Sequence, residues 1–248
     1  MRRLRFAFAA LALAAASLGQ AATTAWPLQD ARTDVASLYS LQRGARNFVN
    51  YCLGCHGAKY MRYSQLATDL ALTEDELRAN LMFTGTRIYD PMLSAMPEAK
   101  AREWFGNTPP DLSLIARSRG VDYVYTFLKS FYEDESRPVG ANNAVLPQTA
   151  MPNVLAALQG PQRPQFEMRT GPEGVEVQHL VALERAAAGS MTAVEFDGFV
   201  RDTVAFLEYV AEPAKAERKA LGVWVILFLL MFTAFTYLLK KEYWKDVK

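Results

Sequence analysis

The stretch Tyr51-Cys52-Leu53-Gly54-Cys55-His56 decides what kind of domain this chain must form. It holds both cysteines of the chain and one of its two histidines, and it has the C-x-x-C-H spacing of covalent haem attachment. Two thiols one helical turn apart can add to the two vinyl groups on one edge of a haem, and the adjacent imidazole can then bind the iron. We therefore predict one covalently bound haem c, attached at Cys52 and Cys55, with His56 as an iron ligand.

Two other chemistries use the same residue types. A thioredoxin-like redox motif requires an alternating strand–helix–strand pattern around its cysteines, and the flanking sequence has none. A zinc site requires a fourth ligand beyond Cys52, Cys55 and His56, and only His179 or a carboxylate is available for it. Haem attachment is the interpretation that uses Cys52, Cys55 and His56 and requires neither a strand–helix–strand pattern nor a fourth zinc ligand.

A second axial ligand for the iron must come from elsewhere in the chain. His179 follows a Gly/Pro-rich stretch, where a lone histidine is typically a solvated side chain. Met96 and Met151 occur in the same local setting, Ala95-Met96-Pro97 and Ala150-Met151-Pro152. A proline after the ligand would stiffen a loop that holds sulfur to iron. Spacing alone does not choose between Met96 and Met151.

The N-terminus has the pattern of a secretory signal peptide, which we predict over residues 1–21. Three arginines precede an apolar run at Phe6–Leu18, and this run is too short to span a bilayer. Gly19-Gln20-Ala21 then supplies small residues at the positions that a signal peptidase recognises. We expect the mature chain to begin near Ala22.

Near the other end, Ala220–Leu239 is a run of apolar residues without a charge. As a helix this segment would be about 30 Å long, which matches the hydrocarbon core of a bilayer. We therefore predict a transmembrane anchor at residues 220–239. An exported N-terminus would place a haem domain at residues 30–214 outside the cytoplasm and leave residues 240–248 as a cytoplasmic tail.

Charge is unevenly distributed along the chain. The 248 residues carry a net charge of +1, but residues 30–214 hold 17 Lys and Arg against 23 Asp and Glu. This balance argues against a nucleic-acid-binding protein, for which a basic surplus is expected. A content of 51% apolar residues argues against disorder, and two cysteines exclude a disulfide-rich scaffold. Acidic triplets at 74–76 and 133–135 could steer a basic partner by long-range attraction.

The pattern of apolar residues predicts a mainly α-helical, cytochrome c-type haem domain with a small hairpin insertion and one C-terminal transmembrane helix. Alternating residues at 166–170 and 175–180, on either side of Gly171-Pro172-Glu173-Gly174, predict the hairpin. Helical spacing and a capping box at Thr73 and Glu76 predict helices at 34–51, 73–82, 111–119, 123–132 and 192–210.

Further motifs accompany the attachment motif in a fixed order. They are Tyr51–His56, Tyr60-Met61-Arg62-Tyr63 with Leu66, Pro109-Pro110-Asp111-Leu112-Ser113 with Arg117 and Arg119, Asp122-Tyr123-Val124, Ala150-Met151-Pro152 and Ala211-Glu212-Pro213. Together they resemble the cytochrome c1 family, the haem subunit of the ubiquinol–cytochrome c oxidoreductase (respiratory complex III). The resemblance covers residues 34–248, although the stretch 155–188 matches no motif of the family.

The resemblance implies a role for each matching site residue. Cys52 and Cys55 would form the thioether bonds, and His56 and Met151 would be the axial ligands, so that Met96 would not bind the iron. Around the ring, the residues implied to contact the haem are Pro110, which would pack on it, and Arg119 and Tyr123, which would meet a propionate, with Arg117 as the alternative propionate partner.

The resemblance also implies the function and the partners. A chain of this family would pass single electrons from the Rieske iron–sulfur protein to cytochrome c, beside cytochrome b, with its haem domain in the periplasm and its anchor in the lipid of the cell inner membrane. It would carry electrons within an enzyme complex and not be catalytic alone. Two alternatives stay open, namely another membrane-anchored electron-transfer cytochrome such as an oxidase subunit, and a haem enzyme or gas sensor.

Overall fold

The computed structural model describes residues 26–170 and 176–246. The predicted signal peptide at residues 1–21 and the predicted turn at 171–174 lie outside the described residues. Helices dominate the described part of the chain, in the order α1 (Leu38–Tyr51), α2 (Tyr63–Asp69), α3 (Glu74–Asn80), α4 (Glu98–Phe105), α5 (Ile115–Arg119), α6 (Val121–Lys129), α7 (Ala156–Gln159), α8 (Ala193–Ala211) and α9 (Lys215–Tyr243).

Short strands connect these helices in three antiparallel pairs. The strands are β1 (Ala58–Arg62), β2 (Pro91–Met92), β3 (Phe131–Glu133), β4 (Ala141–Asn143), β5 (Gln162–Thr170) and β6 (Glu176–Arg185). Strand β1 pairs with β2, β3 with β4, and β5 with β6. A mainly α-helical domain with a small hairpin is therefore the observed architecture, as the sequence predicts.

Helix α1, which leads into the attachment motif, packs along α8. The rings of Phe48 and Phe206 lie 5.5 Å apart between their centroids, and both side chains are fully buried. The buried Asn47 donates from Nδ2 to the Phe199 carbonyl and to the Thr203 hydroxyl, each at 3.1 Å. This pairing fixes the helix that delivers Cys52 against α8, the longest of the described helices that precede α9.

The segment before α1 is tied to two helices. The amide of the fully buried Ala31 donates to Asp122 Oδ1 at 2.8 Å, and its carbonyl accepts from Arg201 Nε at 3.1 Å. The Gln29 amide donates to the Thr126 hydroxyl at 2.8 Å. Through these hydrogen bonds, residues 29–31 connect α6 to α8.

The predicted helix at 34–51 forms, but it begins later than expected. Ser37 is its N-cap and accepts from the Ser40 amide at 3.4 Å, while Asp34 Oδ1 accepts from the Ala36 amide in a turn before the helix. A serine that caps a helix has extended backbone, so residues 34–37 stay outside α1.

The capping box predicted for α3 is confirmed. The Glu76 amide donates to the Thr73 hydroxyl at 3.2 Å, and the Thr73 amide donates to Glu76 Oε2 at 2.9 Å. The helix ends at Asn80, two residues before the predicted end.

The expected helices at 111–119 and 123–132 are both shorter than predicted. Asp111 makes a turn instead, because its carboxylate accepts from the Ser113 and Lys59 amides at 3.0 and 2.9 Å. At the C-terminal end of the second predicted helix, Phe131 and Tyr132 belong to β3, which pairs with β4. Aromatic residues suit strands as well as helices, and the tertiary pairing decides between the two states here.

The predicted hairpin is confirmed and is longer than expected, because β5 and β6 are nine and ten residues long. Most of its side chains are exposed, including Phe166, Met168 and Val177. At its base, Gln162 Nε2 donates to the Phe131 carbonyl at 2.7 Å, which fixes the hairpin to β3.

Helix α9 extends past the predicted span 220–239 at both ends. Its segment Glu217–Tyr243 is 27 residues long, its apolar stretch of 18 residues has a mean hydropathy of 2.2, and none of that stretch is buried inside the protein. The Glu212-Pro213 break separates it from α8, and ion pairs join Lys215 to Glu208 and Arg218 to Glu212 across this break. A long apolar helix with no protein cover is compatible with a single-pass membrane anchor.

Candidate haem-binding site

The C-x-x-C-H motif forms one tight turn at the end of α1. The Cys52 amide still donates to the Phe48 carbonyl at 2.9 Å, and the Cys55 and His56 amides both donate to the Cys52 carbonyl, at 3.0 and 2.8 Å. Leu53 is buried in the core and holds this turn in place. The two half-buried cysteines are not joined in a disulfide, so both thiols are free to react.

Burial raises the pKa of the Cys52 thiol to about 12, with a smaller contribution from neighbouring Cys55, and burial also raises the pKa of Cys55. Both thiols are therefore neutral at pH 7. A neutral thiol is a weak metal ligand, so this environment disfavours a zinc site at the motif.

His56 is held by a single directed hydrogen bond. Its Nδ1 lies 2.7 Å from the Pro110 carbonyl oxygen, and because that oxygen can only accept, the proton sits on Nδ1. The lone pair is then on Nε2, which is the nitrogen available to a metal. Burial lowers the pKa of His56, against the opposing effects of the Pro110 carbonyl and the Asp111 carboxylate, and so favours the neutral imidazole that a metal requires.

Pro110 reaches His56 because its segment is fixed against the motif. The Leu112 amide donates to the Gly57 carbonyl at 2.7 Å. A Cβ on Gly57 would lie 3.0 Å from Asp111 Oδ2 and 3.3 Å from the Ser94 amide nitrogen. Glycine after the histidine therefore allows the segment to approach closely, and the predicted packing residue Pro110 is brought to the attachment motif.

The structure also brings Arg119 and Tyr123 together. Gly120 lies between α5 and α6 with a φ of 91°, a conformation that favours glycine. This turn places the Arg119 guanidinium 5.5 Å from the centroid of the Tyr123 ring. Arg117 and Arg119 are both exposed, and neither forms an ion pair with any carboxylate of the described ranges. Of the two arginines, Arg119 is the one that stacks on Tyr123.

The two candidate methionines lie in different surroundings. Met151 is half-buried and packs against the main core. Met96 is also half-buried, but its loop is bonded to the attachment turn itself, because the Ala95 amide donates to the Leu53 carbonyl at 3.4 Å and the Ser94 hydroxyl donates to the Gly54 carbonyl at 3.3 Å.

A buried asparagine pair organises the loop before Met151. Asn143 Oδ1 accepts from the Val145 and Leu146 amides at 2.9 and 3.1 Å, and Asn142 Oδ1 accepts from the Gln148 amide at 2.8 Å. Sequence reasoning did not single out these asparagines. The available signal was two consecutive polar residues between apolar ones, eight residues before the methionine.

The residues present fit a haem. Two free thiols lie in the turn that ends α1, and the neutral imidazole beside them offers Nε2. Several apolar side chains that pack on the core are only partly buried, among them Leu112, Ile115, Phe127 and Met151. The remaining histidine, His179, is exposed on β6 opposite Glu167 of the hairpin.

Comparison with known proteins gives one family. The model of the Cytochrome C1 family matches residues 84–247, a segment that begins after the attachment motif and includes Met151. The cytochrome c1 of Allochromatium vinosum is 46% identical over 220 residues, which cover 89% of each chain. The ammonia monooxygenase gamma subunit of Nitrosomonas europaea is 44% identical over the full length of both chains. The cytochrome c1 of Rhodospirillum rubrum is 31% identical over 84% of this chain and 82% of its own.

Proposed function

This chain belongs to the cytochrome c1 family, the electron-transfer haem subunit of respiratory complex III, and from that premise we propose that it passes single electrons from the Rieske iron–sulfur protein to a cytochrome c. The observation that carries the proposal is the contact between His56 Nδ1 and the Pro110 carbonyl at 2.7 Å. It leaves Nε2 for the iron immediately after two free thiols, which is the arrangement that a covalently bound haem c requires.

We propose that Met151 would hold the iron together with His56. Its support is the loop geometry, since Met151 follows a loop that two buried asparagines hold in shape, whereas the loop of Met96 is bonded to the attachment turn. When bound, haem supplies a one-electron iron couple, and ligation by histidine and methionine raises its potential. With His56 and Met151 both bound to it, the group would supply electron transfer, and the chain would not be catalytic alone.

The remaining site residues would hold the ring. Pro110 would pack beside it through the segment that is bonded to Gly57, and Arg119, which lies over the Tyr123 ring, would meet a propionate together with Tyr123. An arginine without a carboxylate partner is suited to bind an anionic propionate. Arg117 is the alternative partner, although it lacks the contact with Tyr123.

The same proposal fixes the topology. Residues 1–21 direct export, the haem domain at 30–214 lies in the periplasm, residues 220–239 cross the cell inner membrane and residues 240–248 form the cytoplasmic tail. Cytochrome b and membrane lipid are then the partners of the anchor. The Rieske protein and the soluble or tethered cytochrome c are the partners of the haem domain.

A paired comparison of Met151→Ala with Met96→Ala tests the ligand assignment. Optical spectra and a redox titration of the full haem-loaded chain are the measurements. We expect Met151→Ala to lose the low-spin spectrum and the high potential, and Met96→Ala to keep both. Retention of the low-spin spectrum and potential in Met151→Ala would show that Met151 is not the ligand.

A second candidate function rests on the relative of equal length, which is named as a subunit of an ammonia monooxygenase. Under that alternative the chain would assemble with a monooxygenase. Purification of the tagged chain from membranes decides between them: recovery with cytochrome b and an iron–sulfur protein supports the complex III role, and recovery with a monooxygenase instead overturns it.

A further inference from the structure

The residue that bends the loop before Met151 is Gln148. Its φ is 64°, a left-handed conformation that residues with a side chain rarely adopt. Its amide donates to Asn142 Oδ1 at 2.8 Å, and its carbonyl accepts from Arg137 Nη2 at 3.1 Å. The strained peptide is therefore bonded on both sides, three residues before Met151.

Arg137 comes from the turn that joins β3 to β4. Its amide donates to the Asp134 carbonyl at 3.1 Å, and the guanidinium reaches from there to the Gln148 carbonyl. The Nε atom is buried and has no hydrogen-bond partner among the residues that the structure describes. An N–H removed from water without a partner is unfavourable, so Nε does not hold the guanidinium in place, and its hydrogen bond runs from Nη2 to the Gln148 carbonyl.

We propose that Arg137 is a positioning residue for the iron ligand, holding Met151 in place through the Gln148 carbonyl. The inference rests on the proposed role of Met151. Without the Arg137 bond, Gln148 can relax towards an ordinary φ, and this rotation moves the chain that carries Met151. A thioether would be a neutral ligand held by one bond, so a displaced loop would take the Met151 sulfur away from the iron.

Arginine suits this task better than a neutral residue. A charged donor makes a stronger hydrogen bond to a carbonyl than a neutral one does. The Asp134 carboxylate of the same turn lies close enough for the charge of Arg137 to lower its pKa, although its hydrogen bonds with Ser136 and Asn142 contribute more. The guanidinium therefore connects the two turns in addition to the Asn142 side chain, which bonds Asp134 and the Gln148 amide.

The experiment compares Arg137→Gln and Arg137→Lys with a matched control, Arg163→Gln. Arg163 is an exposed arginine at the base of the hairpin, 3.8 Å from Glu133, so the control makes the same change of charge away from the Met151 loop. Two properties of the full haem-loaded chain are measured: carbon monoxide binding by the ferrous protein, and the temperature at which the absorption band of the methionine–iron bond disappears. Loss of helical circular dichroism reports global unfolding.

We expect Arg137→Gln to raise the carbon monoxide-reactive fraction by about tenfold, because one bond from a charged donor is lost. Its methionine–iron band should disappear well below the temperature of global unfolding. Arg137→Lys, which keeps a cationic donor, should lie between Arg137→Gln and the wild type, and Arg163→Gln should match the wild type. If Arg137→Gln fails to fold, the comparison is made between Arg137→Lys and Arg163→Gln alone.

The inference is overturned if the Arg137 variants behave like Arg163→Gln, or if their methionine–iron band and helical signal are lost together at a lowered temperature. Met151→Ala separates this failure from failure of the proposed ligand. If Met151→Ala loses the band and the Arg137 variants do not, Met151 is the ligand and Arg137 does not position it. If Met151→Ala keeps the band, both proposals are wrong.

Discussion

At the scale of single residues, Gly44 sets how closely the two main helices approach. A Cβ at this position would lie 2.1 Å from the Asp202 carbonyl oxygen and 2.7 Å from the Phe206 Cβ. Both atoms belong to α8, and the nearer one is backbone and cannot rotate away. The contact between α1 and α8, and through it the position of Cys52, therefore requires a residue without a side chain at 44.

Gly44→Ala should lower the free energy of unfolding, because the helices must separate to admit the methyl group. We expect a loss of about 1–3 kcal/mol, the usual range for an overpacked site. Gly198→Ala is the matched control, because a Cβ on this helical glycine meets nothing within 4 Å and should add about 0.5–1 kcal/mol. Urea denaturation of the haem-loaded protein measures both, and a Gly44→Ala protein as stable as Gly198→Ala would contradict the close contact.

The carboxyl group of Asp90 predicts how the stability of the protein depends on pH. The Arg87 and Thr86 amides, which donate to its Oδ2 at 2.8 and 3.0 Å, lower the pKa of this carboxyl to about 2. Because the folded pKa lies below the unfolded value of about 3.9, the carboxylate stabilises the fold fully above pH of about 4, and this stabilisation is lost as pH falls towards 2. The stability difference between wild type and Asp90→Asn should therefore shrink over that interval. A difference that stays constant down to pH of about 2 would exclude this role.

How far the site could be predicted depends on how local each residue's role is. The sequence alone selects Cys52, Cys55 and His56 as candidates, because the chemistry expected of them requires one turn of chain. It does not select Arg137 and Asn142, because these residues make hydrogen bonds to a loop whose shape is tertiary. The same distinction separates the fold elements, because the capping box at Thr73 is local and was found, whereas the pairing of β3 with β4 was missed.

At the scale of elements, α8 is the part of the fold on which most others depend. It contacts α1, α5, α6 and α7, and eleven of its residues are buried. Its first turn is closed by a capping box in which the Glu195 amide donates to the Thr192 hydroxyl at 3.3 Å and the Thr192 amide donates to Glu195 Oε2 at 2.8 Å. The helix therefore has a defined start on the exposed side of the domain.

Thr192→Ala should destabilise the protein by about 1 kcal/mol, since it removes the hydroxyl that accepts from the first turn. Val194→Ala is the control in the same turn, because the Val194 side chain is 82% exposed and its loss removes no cap. Thermal unfolding followed by circular dichroism provides the comparison. Equal stabilities of the two variants would argue against a contribution from the cap.

At the scale of the whole molecule, the acidic excess of residues 30–214 divides into charges with structural partners and charges without them. In the first triplet, Glu74 pairs with Arg78 and Glu76 belongs to the α3 capping box. In the second triplet, Asp134 bonds Ser136 and Asn142, and Glu133 pairs with Arg163. Asp75 and Glu135 have no such ion pair within the described residues, which leaves them available to attract a basic partner.

The double variant Asp75→Asn with Glu135→Gln should slow electron transfer to a basic cytochrome c at low ionic strength. We expect a decrease of roughly two- to fivefold and a flatter dependence on salt, a small share of what full steering supplies. Glu176→Gln on the hairpin is the control for a change in charge elsewhere. Stopped-flow rates across a salt series give the result, and an unchanged salt dependence in the double variant would remove the steering role.

The packing of α1 against α8 also sets the order in which parts of the protein can fold during synthesis. Asn47 bonds to Thr203, 156 positions further along the chain, and α8 is the last element before the anchor helix. A helix of 14 residues is marginal in water without a packing partner. A growing chain therefore presents Cys52 and Cys55 on an unsupported segment until synthesis has nearly reached the anchor. Haem that is attached before that point would join an unfinished domain, because α8, the packing partner of α1, has not yet been made.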